Sequence, residues 1–105
     1  MVAEATLRTL RRHVPPAVPG IAFLSGGQSP QEATLHLALM NRIGASLPWA
    51  LTFSYGRALQ DTALKAWGGA GANVAAAQRE LSKRARLNGL AASGRYTAEM
   101  ENQAA

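Results

Sequence analysis

The stretch Pro19-Gly20-Ile21-Ala22-Phe23-Leu24-Ser25-Gly26-Gly27-Gln28-Ser29-Pro30-Gln31-Glu32 decides how the rest of the chain is read. Ile21 to Leu24 form a short apolar run between Pro19-Gly20 on one side and Ser25-Gly26-Gly27 on the other. Such a run with turn residues at both ends predicts a strand buried on both faces. Ser29 then announces a helix. It stands at the N-cap with Pro30 at the first helical position, and Glu32 three residues on completes a capping box. Ala33, Leu37 and Met40 make one apolar stripe, Leu35 and Leu39 widen it, and Gly44 ends the helix.

Working outward, Val2, Thr6, Leu7, Leu10 and Val14 recur at three- and four-residue spacing with Arg8, Arg11 and Arg12 between them. That pattern predicts an amphipathic helix of about three turns, stopped by Pro15-Pro16. Downstream, Pro48-Trp49-Ala50-Leu51-Thr52-Phe53-Ser54 predicts a second buried strand. Tyr55-Gly56 leads into a helix with Leu59, Ala63 and Trp67 in register. The break Gly68-Gly69-Ala70-Gly71-Ala72 separates it from a longer helix capped by Asn73, whose stripe runs through Val74, Ala77, Leu81 and Ala85 toward Gly94. Residues 98–105 are expected to be a flexible C-terminal tail. Strands alternating with helices predict an α/β arrangement with a parallel sheet. Two such strands leave apolar edges open, so residues 1–97 read as part of a larger parallel-sheet domain, or as a unit that partners complete.

Composition narrows the classes. The chain has 105 residues, 48% of them apolar, and no cysteine. A disulfide framework and Cys-ligated zinc are thereby excluded. No apolar stretch approaches the roughly 20 residues of a membrane span, and the N-terminus lacks the apolar core of a signal peptide. A cytoplasmic chain without membrane partners is the expectation. The net charge of +5 comes from 11 Lys+Arg against 6 Asp+Glu. It suits phosphate or nucleic-acid partners, because a positive field concentrates anions, but exposed helix arginines produce the same balance.

Both strands run through small residues straight into a helix: Leu24-Ser25-Gly26-Gly27-Gln28-Ser29 and Phe53-Ser54-Tyr55-Gly56-Arg57. In neighbouring parallel strands these turns share the C-terminal edge of the sheet. Glycine lets an anion approach the backbone, and the N–H groups and dipole of the following helix favour negative charge. Ser25 and Ser54 offer hydroxyls, and Arg57 a planar fork matched to phosphate oxygens. The two turns together read as a phosphate cradle built from Ser25, Gly26, Gly27, Ser54, Gly56 and Arg57.

No catalytic residue stands out. His13 and His36 read as surface or capping residues, and Trp49 and Trp67 as packing residues. No carboxylates are spaced for acid/base work or for a metal. Lys65 and Lys83 fall on helices, away from the strand ends where an activated lysine is expected. Arg79, Lys83 and Arg86, with Arg84 beside them, read as a solvated face. The same stripe supports an alternative, a small basic module binding nucleic acid or another acidic partner, although no aromatic residue is interleaved with it.

The runs Phe23-Leu24-Ser25-Gly26-Gly27-Gln28-Ser29 and Leu51-Thr52-Phe53-Ser54-Tyr55-Gly56-Arg57-Ala58-Leu59-Gln60, with Leu64-Lys65-Ala66-Trp67-Gly68-Gly69 after them, strongly resemble class I fructose-bisphosphate aldolase. The likeness extends from the first helix to about Tyr96. It implies the C-terminal part of a (β/α)8 TIM barrel, with the last two strands and their flanking helices. It also implies cleavage of fructose 1,6-bisphosphate to dihydroxyacetone phosphate and glyceraldehyde 3-phosphate in glycolysis, through a Schiff base and with no metal or other cofactor. Ser25, Gly26, Gly27, Ser54, Gly56 and Arg57 match family positions that bind substrate, chiefly one phosphate. The sugar phosphate is then the partner, nucleic acid is not, and full-length members are expected to be homo-oligomeric. The segment with the Schiff-base lysine would lie before Met1, and a barrel needs roughly 250 residues. A fragment or truncated product, inactive alone, is therefore expected.

Overall fold

The computed structural model describes residues 2–43, 46–54 and 56–103; Gly44 and Tyr55, assigned above to a helix stop and to the second turn, lie outside them. The elements are α1 (Val2–His13), β1 (Gly20–Phe23), α2 (Pro30–Ile43), β2 (Ala50–Phe53), α3 (Arg57–Trp67) and α4 (Val74–Ala92). A short 3-10 turn at Gly71–Asn73 precedes α4, and another at Ala98–Asn102 follows it. No helix among the described residues is long and apolar enough to cross a membrane.

β1 and β2 pair in parallel, with Gly20 opposite Ala50 and Phe23 opposite Phe53. Two parallel strands need a crossover between them, and α2 supplies it. The start of α2 follows from its sequence: the Glu32 amide donates to Ser29 Oγ at 3.1 Å, and the Ala33 amide to the Ser29 carbonyl at 3.0 Å. α2 then packs on α1, α3 and α4. Ala33, Leu37, Ala38 and Met40 enter the core with Leu7, Leu51, Phe53, Leu87 and Ala91.

The strands are not buried on both faces. Leu51 and Phe53 of β2 are buried, but in β1 only Ile21 and Phe23 are half-covered, while Gly20 and Ala22 are exposed. Leu24 is 79% exposed. The physical reason is layering: the helices cover one side of the strand pair, and nothing among the described residues covers the other. The chain measures 49 × 23 × 22 Å with a radius of gyration of 14.9 Å. A closed domain of this length has about 13 Å, so the shape is that of an open, elongated layer.

α4 corrects the sequence reading most. The stripe Val74, Leu81, Ala85 does not face the core; all three are exposed, and Ala77 is only half-buried. The buried face is Arg84, Leu87, Asn88 and Ala91. Arg84, expected on a solvated face, is 1% exposed. Its Nε donates to the Ala58 carbonyl at 3.2 Å and its Nη2 to the Pro30 carbonyl at 3.1 Å and to Thr34 Oγ1. Its Nη1 lies 2.6 and 2.8 Å from the two carboxylate oxygens of Glu101. Asn88 Nδ2 joins Arg84 on the Ala58 carbonyl at 3.0 Å, and Thr34 Oγ1 stands 2.6 Å from Asn88 Oδ1.

That network also reaches into the segment expected above to be a flexible tail. Residues 98–102 fold as a 3-10 turn whose Glu101 carboxylate pairs with Arg84 and accepts from Tyr96 Oη at 2.7 Å. Lys83 Nζ donates to the Glu101 carbonyl at 2.7 Å. Tyr96 is 1% exposed, and burial, then its bond to Glu101, push its phenol well above the ordinary range.

Two smaller expectations also change. Trp49 is buried, with Nε1 on the Pro15 carbonyl at 3.0 Å, but Trp67 is 41% exposed at the end of α3. Asn73 occupies the N-cap of α4 without a side-chain cap bond; its Nδ2 instead donates to the Trp67 carbonyl at 3.2 Å.

Removing one partner of a buried ion pair costs about 3–5 kcal/mol. Arg84→Ala is therefore expected to destabilise the chain by about that amount in urea titrations followed by circular dichroism. Arg86→Ala, on an exposed side chain, should stay within about 0.5 kcal/mol of the parent. Equal effects of the two substitutions would refute this account of the network.

Candidate functional site

The parallel register sends both strand-to-helix turns off the same edge of the sheet. The Ser54 amide adds one more rung, donating to the Phe23 carbonyl at 2.8 Å. Ser54 therefore stands opposite Leu24, one residue before Ser25, and both turns leave the sheet at the same edge.

The first turn closes when the Gln28 amide donates to the Ser25 carbonyl at 3.2 Å. Gly27 takes φ +79°, a sign that a side chain disfavours and that suits the third position of a tight turn. A Cβ at Gly26 or Gly27 would meet nothing within 4 Å, so the backbone of this turn is open to an incoming group. In the second turn, Gly56 is the N-cap of α3 with φ −144° and no side-chain cap bond, and Arg57 is the first helical residue. Ser54 and Arg57 are exposed.

One contact joins the two turns. The Ala58 amide, in the first turn of α3, donates to Ser25 Oγ at 3.1 Å. Ser25 is 3% exposed and thus caps a helix from the neighbouring strand's turn. Its oxygen is used as an acceptor, which leaves its own proton to donate. The Leu59 and Gln60 amides both reach the Gly56 carbonyl at 3.0 Å. The free amides expected at this helix start are thus reduced, and the exposed cation is the guanidinium of Arg57.

The remaining candidates separate. His13 is exposed at the end of α1. His36 is half-buried, with Nδ1 lacking a hydrogen-bond partner among the described residues. It lines a cavity of about 80 Å³ with Gln28, Phe23 and Phe53. Of the basic stripe, Arg79 and Arg86 are exposed, Arg84 is inside, and Lys83 is turned to the tail. This division removes the continuous cationic face on which the nucleic-acid alternative rested.

The profile described as "Fructose-bisphosphate aldolase class-I" matches residues 1–105, the whole chain. The chain belongs to the class I fructose-bisphosphate aldolase family. Among relatives, the muscle-type aldolase of Lethenteron camtschaticum is 62% identical over 90% of this chain and 26% of its own length. Aldolase A of Salmo salar is 59% identical over 99% of this chain and 29% of its own. A solved aldolase of Plasmodium falciparum, in complex with TRAP and a small-molecule inhibitor, superposes with a TM-score of 0.86 at 55% identity. It matches 91% of this chain, which covers 27% of that one. The chain therefore spans little more than a quarter of the aldolases it matches.

The sequence did not reveal the residues that hold this edge from behind, Arg84, Asn88, Thr34 and Glu101. Arg84, Leu87, Asn88 and Ala91 do follow helical spacing, but two of the four are polar. Loss of an acceptor that leaves a buried amide unpaired costs about 1–3 kcal/mol. Ser25→Ala should lower the stability by that much in thermal melts, although it removes no apolar contact. A melting midpoint equal to that of the parent would show that the Ala58 amide does not depend on Ser25.

Proposed function

We propose that this chain forms the C-terminal part of a (β/α)8 aldolase barrel and supplies its phosphate-binding turns. In that role Ser25, Gly26, Gly27, Ser54, Gly56 and Arg57 hold one phosphate of fructose 1,6-bisphosphate. The assembled enzyme cleaves it to dihydroxyacetone phosphate and glyceraldehyde 3-phosphate, as a cytoplasmic step of glycolysis. The observation that carries this reading is the Ala58 amide on Ser25 Oγ at 3.1 Å, which locks two Gly-Ser turns together at one sheet edge. In barrels of this kind, the loops after the last two strands commonly hold phosphate. The uncovered side of the strand pair, with Ala22 and Leu24 exposed, is where the barrel interior would lie.

Catalysis needs a lysine that these 105 residues do not place. The sequence has two, Lys65 and Lys83. Lys65 sits on α3, 76% exposed and 3.0 Å from Asp61 Oδ2, and Lys83 is held by the tail. Neither is at a strand end, and a Schiff-base lysine is activated by desolvation or by a neighbouring cation. Incubation of the chain with fructose 1,6-bisphosphate and borohydride should therefore trap no adduct. A substrate-dependent adduct on Lys65 or Lys83, seen by mass spectrometry, would refute the division of labour.

The cradle itself is tested at Arg57. A hydrogen bond to a charged group contributes about 1.5–3 kcal/mol, and every 1.4 kcal/mol is about tenfold in affinity. In a barrel completed with the remaining strands of the Salmo salar relative, Arg57→Ala should lower kcat/KM for fructose 1,6-bisphosphate by about tenfold or more. Arg57→Lys should recover part of the loss, because an ammonium cannot repeat the two-pronged contact. Unchanged kinetics for Arg57→Ala would move the phosphate elsewhere.

A further inference from the structure

The peptide group that anchors the candidate site is held from two directions. The Ala58 amide is taken by Ser25 of the first turn at 3.1 Å. The Ala58 carbonyl is taken by Arg84 Nε at 3.2 Å and Asn88 Nδ2 at 3.0 Å, both from α4. Ala58 adjoins Arg57, so whatever fixes Ala58 fixes the direction in which the Arg57 side chain leaves the helix. Arg84 also reaches the Pro30 carbonyl, at the start of the helix that follows the Ser25 turn. One guanidinium therefore braces the helix behind each of the two turns.

Arg84 holds that position only if its charge is answered. It is 1% exposed, and an isolated buried cation costs several kcal/mol. The carboxylate that answers it belongs to Glu101, at 2.6 and 2.8 Å. Among the described residues, Glu101 forms its hydrogen bonds with Lys83, Arg84 and Tyr96 and with neither turn. It is itself oriented by Tyr96 Oη at 2.7 Å, and its backbone is tied by Lys83 Nζ.

We propose that Glu101 is a positioning residue for the anion-binding edge: by neutralising Arg84 it holds the Ala58 carbonyl and thereby the aim of Arg57. The inference rests on the reading of the two turns as a phosphate cradle. Without the Glu101 carboxylate, the guanidinium must either draw in water or swing toward solvent. Both movements remove one of the two donors on the Ala58 carbonyl, leave Asn88 to hold it alone, and loosen the first turn of α3. The C-terminal turn at residues 98–102 then sets anion affinity from behind the site, through a relay of Glu101, Arg84 and Ala58.

The test uses the full 105-residue chain, labelled with nitrogen-15 and titrated with inorganic phosphate, comparing parent, Glu101→Ala, Glu101→Gln, Glu101→Asp and Arg86→Ala. Amide hydrogen exchange at Ala58 is expected to accelerate about tenfold in Glu101→Ala, while Val14, bonded to the Leu10 carbonyl at the end of α1 and away from Arg84, changes little. The phosphate dissociation constant should rise about three- to tenfold in the same variant. Glu101→Gln should show a smaller effect in the same direction, and serves if the alanine variant does not fold. Glu101→Asp should recover part of the loss, and Arg86→Ala should match the parent in both readouts. The proposal is overturned if Ala58 exchange and phosphate affinity are unchanged in Glu101→Ala. It is equally overturned if all amides lose protection together, since that marks a residue that merely stabilises the chain. A parent that shows no phosphate-dependent shifts at Gly26, Gly27 or Arg57 would sink the cradle reading by itself. Selective loss at Ala58 would in that case still support Glu101 as the residue that sets this turn.

Discussion

A guanidinium in the interior of a small helical layer is the constraint around which the rest of this chain is arranged. Arg84 presents donors in a fixed plane and is almost wholly shut off from water. Every donor therefore needs an acceptor at a set place. The acceptors come from the start of α2 (Pro30 and Thr34), the start of α3 (Ala58) and the tail (Glu101). Helix starts are usually short of acceptors for their amides, whereas here two of them lend carbonyls to one cation. α4 is thus bound to the sheet edge by directional bonds as well as by the packing of Leu87 and Ala91.

The same arrangement explains why the candidate site can be built on turns. Loops are poor at holding geometry unless their backbone groups are claimed, and these two claim each other. Ser25 reaches from the first turn to the Ala58 amide of the second. Asn41 does similar work lower in the layer, where its Nδ2 lies 3.1 Å from the carbonyls of Leu37 and Ala91, tying α2 to α4. In the proposed cradle, the exposed residues Gly26, Gly27, Ser54 and Arg57 are then the ones that would meet a ligand. On the proposed reading, stability rests on a buried arginine and recognition on an exposed one.

Much of this was legible in the sequence, for definite reasons. Ser29-Pro30 and Glu32 fixed the start of α2 because capping is local chemistry. The parallel pairing followed from the order of elements, and the shared edge followed from the pairing. The faces of α4 were misread because two stripes compete on it. Val74, Ala77, Leu81 and Ala85 keep helical spacing and are apolar, so they resemble a core. Arg84 and Asn88 keep the same spacing beside Leu87 and Ala91, but their polarity hides the buried face. The partners that make their burial tolerable, Thr34 and Glu101, are distant in sequence, and no local pattern points to them. The one-sided burial of the strands was hidden for another reason. Ile21 to Leu24 has the composition of a strand covered on both sides, whereas the described residues cover only one of them.

The two indoles divide the molecule optically. Trp49 is buried just before β2, with its N–H on the Pro15 carbonyl. Trp67 stands 41% exposed at the far end of α3, beside the αL glycine that stops the helix. An aqueous quencher reaches the second ring readily and the first only when the layer opens. Emission from the shielded ring therefore reports on the seam between the loop after α1 and the strand pair. Emission from the exposed ring reports on the α3–α4 corner, so loosening at either end carries its own spectral signature.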